Sequence, residues 1–360
     1  MKVLYIGHYK DGTGWGNAAV NNILAMNSVG IEVVPRAITY EQNDAKVEPN
    51  ILELEGKKNT GCDVVIQHTL PHNYVYNGKY KNIGFLAVET TNFTQRWVRN
   101  CNLMDEIWVP SETTKQIAIE SAVGVPVKVV PHSLDLSEYA NIPKGMPIDT
   151  LVSSFTFGFV GEFIERKNLK ALVQAYHMTF DPREPVSLFI KTSKRDLESI
   201  QKYLEHIRSG LKIRNRYKEE VIVTGMPKRQ EYLSLLNQID CFVMPSRGEA
   251  FCIPSLELGA MGVPSIWTDG IGMDHCYGTA VPSTLQTCFG AVESPPYLDT
   301  AYSRWREIDV VKLCSSMRGM YDMLSNSEMK QGIAEKCIEK SNRYSHQAVG
   351  QLIKEILNDV

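Results

Sequence analysis

Two glutamates, Glu249 and Glu257, stand with seven residues between them in the most informative stretch of the chain. An apolar strand is predicted to end at Met244, and a helix to begin near Pro254, because proline suits the first helical turn. Unpaired backbone N–H groups in such a loop and helix start bind phosphate. A carboxylate at Glu257 suits the hydroxyls of a ribose, which would place Glu249 near a sugar being transferred. The alternative is that both carboxylates face solvent and only stabilise the helix, because they lie near the positive end of its dipole.

Two cations and a glycine-rich loop add to this prediction. Arg166 and Lys167 follow a predicted strand and turn, where positive charge can stabilise a departing diphosphate. The alternative is that both lie on an exposed helix. Gly14, Trp15 and Gly16 open a helix after the first strand, and glycines there let the backbone approach a ligand closely. A full G-x-G-x-x-G pattern is missing, so a dinucleotide fingerprint is not indicated.

Two polar side chains of the N-terminal half, His68 and Glu89, also follow predicted strands. Ligands bind at the carboxyl ends of parallel strands, so both side chains are expected to face the ligand. A histidine or carboxylate there can orient an acceptor hydroxyl or take its proton. We predict catalytic roles for both, with an ordinary structural role as the alternative for each.

Apolar runs of strand length alternate with stretches of helical period, which predicts an α/β fold with parallel sheets. The predicted strands are residues 2–6, 31–34, 64–67, 83–88, 106–109, 127–130, 155–160, 186–191, 221–225, 241–244, 265–267 and 291–293. The pattern pauses across residues 139–154, as a linker would. We therefore expect two Rossmann-like domains facing a cleft, at residues 1–145 and 153–340, followed by a helix at 341–360 that packs back on the first domain.

The composition of the 360 residues is ordinary for a globular protein, 43% hydrophobic and 22% charged, with a net charge of −3. That charge argues against a large positive nucleic-acid surface. No apolar run approaches the roughly 18 residues of a membrane span, so we expect a cytoplasmic protein, or one peripheral at a membrane. Residues 191–229 carry eleven Lys and Arg against five acids. This excess predicts an anionic acceptor, either a lipid head group or nucleic acid, with a solvated helix face as the alternative.

The run from 244 to 265 resembles the retaining GT-B glycosyltransferases of family 4, the glycosyl transferases group 1. Glu249 and Glu257 match the E-x7-E motif of that family. The resemblance also implies that Ala250, Phe251 and Cys252 belong to the donor-binding loop, although the family more often has glycine at positions 250 and 252.

The resemblance extends to the cations. Lys167 fits a lysine that family members commonly carry, whereas Glu162 stands where an arginine is usual. We predict that Arg166 replaces that arginine. The resemblance implies a GT-B fold, retention of anomeric configuration, a donor bound mostly by the second domain and an acceptor approaching from the first.

The predicted activity is transfer of a hexosyl or pentosyl group from a UDP- or GDP-sugar to a glycan, a lipid or a modified nucleobase of DNA. The sequence has no D-x-D motif and no histidine–carboxylate cluster with the spacing of metal ligands. We therefore predict that neither a metal nor a cofactor takes part, with cations and helix N-termini in place of a divalent ion. The alternatives are a GT-B epimerase, a phosphorylase, or a non-catalytic nucleotide-sugar-binding module, which Glu162 favours.

Overall fold

The computed structural model describes residues 1–38, 47, 49–140, 142, 155–194, 196–213, 217–225, 227–288 and 303–358. The chain divides into two compact units. The first comprises Met1–Leu136, Ala250–Ile253 and Asn342–Val360, and the second comprises Ser137–Glu249 and Pro254–Ser341. Most of the predicted linker and the predicted strand at 291–293 lie outside the described residues.

Six parallel strands form the sheet of the first unit. They are β1 (Lys2–Gly7), β2 (Glu32–Ala37), β3 (Val64–His68), β4 (Lys81–Phe85), β5 (Glu106–Val109) and β6 (Val127–Val129). Their order is β2-β1-β3-β4-β5-β6. β3 and β5 are buried along their whole length, because helices cover both faces of such a sheet. Each strand lies where the apolar runs predicted it, although β4 ends three residues earlier than the predicted range of 83–88.

The second unit has its own sheet of six parallel strands and a separate antiparallel hairpin. The strands of the sheet are β7 (Phe155–Val160), β8 (Val186–Lys191), β9 (Val221–Val223), β10 (Cys241–Met244), β11 (Ser265–Thr268) and β12 (Gly278–Val281). Their order is β12-β11-β10-β7-β8-β9. The hairpin consists of β13 (Ser283–Thr287) and β14 (Arg304–Ile308). The carboxyl ends of β7, β8 and β10 meet at one edge, where the candidate site lies.

Helices connect the strands of both units. In chain order they are α1 (Gly14–Ser28), α2 (Pro49–Glu55), α3 (Gln95–Cys101), α4 (Glu112–Glu120), α5 (Leu169–Thr179), α6 (Leu197–Leu211), α7 (Arg229–Leu236), α8 (Ile253–Ala260), α9 (Val310–Leu324), α10 (Ser327–Asn342) and α11 (His346–Asn358). No helix in the described part of the chain is both long enough and apolar enough to cross a bilayer.

The last helix, α11, belongs to the first unit and packs against α1. Val349 and Ile353 are buried in the same core as Ile23 of α1. Gly350 lets the two helices approach closely, since a Cβ there would lie only 2.2 Å from the carbonyl oxygen of Ala25. A larger residue at this position would push the helices apart.

Candidate functional site

The loop after β10 carries Glu249, whose carboxylate is held between two cations. Its Oε1 accepts a hydrogen bond from Lys167 Nζ at 2.7 Å and another from Arg166 Nη1 at 3.1 Å. Arg166 also donates to the carbonyl oxygen of Gly248 at 2.6 Å. Burial acts to raise the pKa of Glu249, but Lys167 and Arg166 outweigh it, so that the pKa lies below its ordinary value. Three of the five side chains predicted for the chemistry, Glu249, Lys167 and Arg166, therefore meet as one charged cluster.

Four residues hold the two loops of this cluster together: Glu165, Asn168, Arg247 and Glu307, here called the brace. Arg247 Nη1 donates to Glu165 Oε1 at 2.7 Å, and Arg247 Nε donates to Glu307 Oε2 at 2.6 Å. The other oxygen of Glu307 accepts from Asn168 Nδ2 at 3.0 Å. Asn168 has a left-handed backbone (φ 50°), a conformation that asparagine tolerates better than most residues. The brace thus fixes the turn Glu165–Lys167 against the loop that carries Glu249.

Glu257 lies in α8 and has three hydrogen-bond donors around it. Its Oε1 accepts from Arg229 Nη1 at 2.6 Å and from the Tyr139 hydroxyl at 3.1 Å, and its Oε2 accepts from the Tyr232 hydroxyl at 2.8 Å. Arg229 is also held by Glu138, whose Oε2 accepts from Nε at 3.0 Å and from Nη2 at 2.7 Å. The carboxylate that is predicted to bind the ribose thus already has hydrogen-bond partners.

Glu162, the departure from the family pattern, is bonded to a serine that follows β8. Its Oε1 accepts a short hydrogen bond from the Ser193 hydroxyl. The nearby Lys191 ends β8 and is only 7% exposed; burial lowers the pKa of its ammonium group against the opposing effect of Glu162. Lys191 Nζ lies 5.8 Å from the centre of the Tyr232 ring. Sequence reasoning missed Lys191, although a cation at the carboxyl end of an apolar strand was a usable signal.

In the first unit, His68 at the end of β3 lies beside Trp15, with the ring centres 5.2 Å apart. Its imidazole also stacks on Phe85 at 4.5 Å, and its Nδ1 is 2.6 Å from the Tyr5 hydroxyl. Burial, aided by nearby histidines, lowers the pKa of His68 well below its ordinary value. This imidazole is therefore neutral, with one ring nitrogen committed to Tyr5.

The glycine-rich loop begins α1 directly after β1. Gly14 is the first residue of α1, and the Thr13 hydroxyl caps the helix by accepting from the Gly16 amide at 3.1 Å. A Cβ on Gly16 would lie 3.0 Å from the carbonyl oxygen of His8, which explains why glycine suits this position. His8 in turn lies 3.2 Å from an oxygen of Asp11. The loop therefore places the start of α1 close to the end of β1.

The donor-loop residues Ala250, Phe251 and Cys252 are grouped with the first unit, and Ala250 and Cys252 are buried. The Phe251 ring meets His132 at 5.1 Å between ring centres. Burial lowers the pKa of His132 to about 3, so its ring is neutral as well. Glu89 is half-buried in the loop that follows β4.

Three cations of the basic stretch 191–229 are paired with carboxylates. Arg208 Nη1 pairs with the buried Glu220 at 2.8 Å, and Arg229 pairs with Glu257. Lys202 pairs with Glu198 on α6 at 2.5 Å. Positions 195, 214 and 216 lie outside the described residues. No cluster of three or more His, Cys, Asp or Glu in the described ranges is arranged to hold a metal ion.

Two sequence comparisons bear on this geometry. Residues 154–283 match the family model described as Glycosyl transferases group 1, a segment that contains Lys167, Glu249 and Glu257. The serotype-specific mannosyltransferase WbdA of Escherichia coli is 27% identical over 163 residues, which cover 44% of this chain and 18% of that protein. The match thus spans less than a fifth of the length of that relative.

Solved structures resemble the chain over nearly its whole length. Anabaena HepE, in complex with UDP and glucose, has a TM-score of 0.67 at 14% identity, covering 100% of both chains. Sucrose-phosphate synthase from Thermosynechococcus elongatus also has a TM-score of 0.67, at 12% identity, covering 100% of this chain and 98% of that one. The fold is therefore GT-B, as predicted. The family match over residues 154–283 supports the resemblance of that segment to the group 1 glycosyl transferases.

Proposed function

We propose that this chain is a retaining glycosyltransferase that uses a UDP- or GDP-sugar and needs no metal ion. The observation that carries the proposal is the cluster of Glu249, Lys167 and Arg166 at the carboxyl ends of two neighbouring parallel strands. Ligands of open α/β sheets bind at such strand ends. Two cations on one carboxylate leave a net positive charge, which suits a diphosphate.

In the proposed reaction an acceptor hydroxyl attacks the anomeric carbon on the face from which the diphosphate leaves. The bond between that carbon and the diphosphate oxygen breaks, and the acceptor proton passes to the departing phosphate. Lys167 and Arg166 stabilise the negative charge that develops on the leaving group, and Glu257 binds the ribose hydroxyls. Glu249 holds the two cations in place beside the sugar.

The choice of donor is supported by the relatives. HepE binds UDP and glucose, and WbdA is described as a mannosyltransferase. We therefore expect a hexose donor. The proposal includes a glycan, a lipid and a modified nucleobase of DNA as acceptors, with the stretch 191–229 as the candidate contact for an anionic one.

Donor binding tests the first part of the proposal. UDP-, GDP- and ADP-sugars are screened by calorimetry, and at least one UDP- or GDP-sugar is expected to bind. Lys167→Ala should weaken that binding by about 1–3 kcal/mol, the loss of a charged hydrogen bond. Lys170→Ala, which removes an exposed lysine of α5, serves as the matched control. Unchanged affinity in the Lys167 variant would contradict the assignment.

Turnover tests the second part. Sugar transfer to a panel of the three acceptor classes should survive EDTA, because Arg166 and Lys167 are proposed to do the work of a divalent ion. If chelation abolishes turnover and magnesium or manganese restores it, the proposal that the reaction needs no metal ion is wrong. Donor consumption without acceptor, or only with free phosphate, would instead indicate an epimerase or a phosphorylase. Binding without any turnover would indicate a silent nucleotide-sugar module.

A further inference from the structure

The carboxylate of Glu257 is nearly saturated with hydrogen bonds. A carboxylate offers about four lone-pair positions, and three are taken here. Arg229 and Tyr139 donate to one oxygen, and Tyr232 donates to the other. A ribose diol brings two hydroxyl donors. At least one of the present partners must therefore leave before both hydroxyls can bind.

Arg229 is the partner best able to leave. Burial raises the pKa of both the Tyr139 and Tyr232 hydroxyls, so each remains a protonated donor inside the unit. The Arg229 side chain is 42% exposed, whereas that of Glu257 is only 5% exposed. The guanidinium is therefore open to solvent, whereas the carboxylate that it bonds is not.

A second carboxylate can keep Arg229 paired after it moves. Glu138 accepts from Nε and Nη2 of the same guanidinium, Nη2 also donates to the Tyr139 hydroxyl at 2.6 Å, and only Nη1 reaches Glu257. A small rotation can thus break the bond to Glu257 while the charge of Arg229 stays neutralised. This second anchor lowers the cost of release, since a charge left without a partner would be expensive.

We propose that Arg229 is a latch on the ribose site: it bridges Glu138 and Glu257 and withdraws to Glu138 when a nucleotide binds. The latch rests on the proposed function, because it assigns Glu257 to the ribose. One of the two ribose hydrogen bonds then replaces the single arginine bond to the same carboxylate. The hydroxyl that makes it therefore contributes little net affinity in the native protein.

The latch is tested by the ratio of two affinities. The first is the affinity for UDP or GDP, whichever binds, and the second is the affinity for its 2′,3′-dideoxy counterpart. Arg229→Gln should raise this ratio about tenfold, because the hydroxyls no longer compete with a charged donor. Glu138→Gln should lower the ratio, because the withdrawn arginine loses its anchor. Arg318→Gln removes a similar arginine, paired with Glu184 at 2.7 Å, and should leave the ratio unchanged.

The two variants move the ratio in opposite directions, which a purely structural role would not produce. A ratio that is unchanged or lower in Arg229→Gln overturns the latch. If that variant does not fold, Glu138→Gln decides, and a ratio that is unchanged or higher there overturns it. Failure of the proposed function gives a different result: the native protein then binds neither nucleoside diphosphate, and the latch falls with it.

Discussion

Glu249→Gln is the most informative perturbation, because it removes the charge that holds Lys167 and Arg166 and leaves the shape unchanged. The carboxylate side chain is 5% exposed and its two partners are 14% and 15% exposed. Removing one partner of a fully buried pair costs about 3–5 kcal/mol. The glutamine still accepts one hydrogen bond and the cations keep some contact with water. We therefore expect the free energy of unfolding to fall by about 1–3 kcal/mol.

The same substitution should help a diphosphate to bind. In this variant, Lys167 and Arg166 do not have to give up an ion pair before they contact a diphosphate. UDP or GDP should therefore bind as tightly as to the native protein, or more tightly. The nucleotide also supplies the missing negative charge, and the rise in Tm on adding it should exceed that of the native protein. Turnover should nevertheless be lost, because the cations are no longer positioned beside the sugar.

The pH dependence of stability gives an independent check. The folded-state pKa of Glu249 lies below its ordinary value because Lys167 and Arg166 outweigh burial. Its contribution to stability is therefore present above the ordinary carboxyl range and is lost as pH falls through the folded-state pKa. The stability difference between the native protein and Glu249→Gln should shrink in acid.

Thermal melts with and without nucleotide measure the change in stability, and calorimetry measures nucleotide binding by the Glu249→Gln variant. Glu184→Gln is the matched control, since it breaks an arginine pair of the second unit that is 29% and 35% exposed. It should lower Tm slightly and leave nucleotide binding unchanged. The reasoning is refuted if Glu249→Gln melts like the native protein and binds the nucleotide more weakly.

Two further predictions concern the phosphate side of the site. Arg166→Ala should lower turnover by about 10²–10³, the usual loss for one preorganised donor, and Glu162→Arg should be neutral or harmful because the cation is already supplied. A silent Arg166→Ala with a more active Glu162→Arg in steady-state kinetics would favour a weak enzyme or a binding module. Glu307→Gln should weaken diphosphate binding about tenfold by loosening the brace, with nucleoside binding unchanged in calorimetry. Equal losses for both ligands would argue against the brace.

Much of the fold was predictable because its strands are buried on both faces. Apolar runs such as 64–67 and 241–244 have no solvent side, so the pattern marks them directly. β12 and β13 gave no such signal. β12 is at the edge of its sheet and β13 is almost fully exposed, so their residues alternate poorly and include many polar side chains. Edge strands of this kind are short and polar for good reason, since long apolar edges aggregate.

The candidate site was predictable only in part. Lys167 and Glu249 could be assigned to the same ligand site in advance because each follows a predicted strand, whereas the adjacency of β7 and β10 came from the structure. The hydrogen-bond partners of Glu257 could not be predicted in this way. Tyr139 is 118 residues away in sequence and Arg229 is 28 residues away, and each is brought in by a connection outside the motif. Local spacing carries no information about contacts of that kind.

The distribution of charge bears on whether Glu162 weakens the phosphate grip. Arg166 and Lys167 share the single carboxylate of Glu249, which leaves those three side chains net positive. Arg229 shares two carboxylates, which leaves the ribose side net negative. Under the proposed function, such polarity orients a nucleotide, with its diphosphate toward the two cations and its uncharged diol toward the carboxylate. Glu162 accepts from Ser193 and opposes the effect of burial on the pKa of Lys191, so the cation on which it acts is outside the trio proposed to grip the diphosphate.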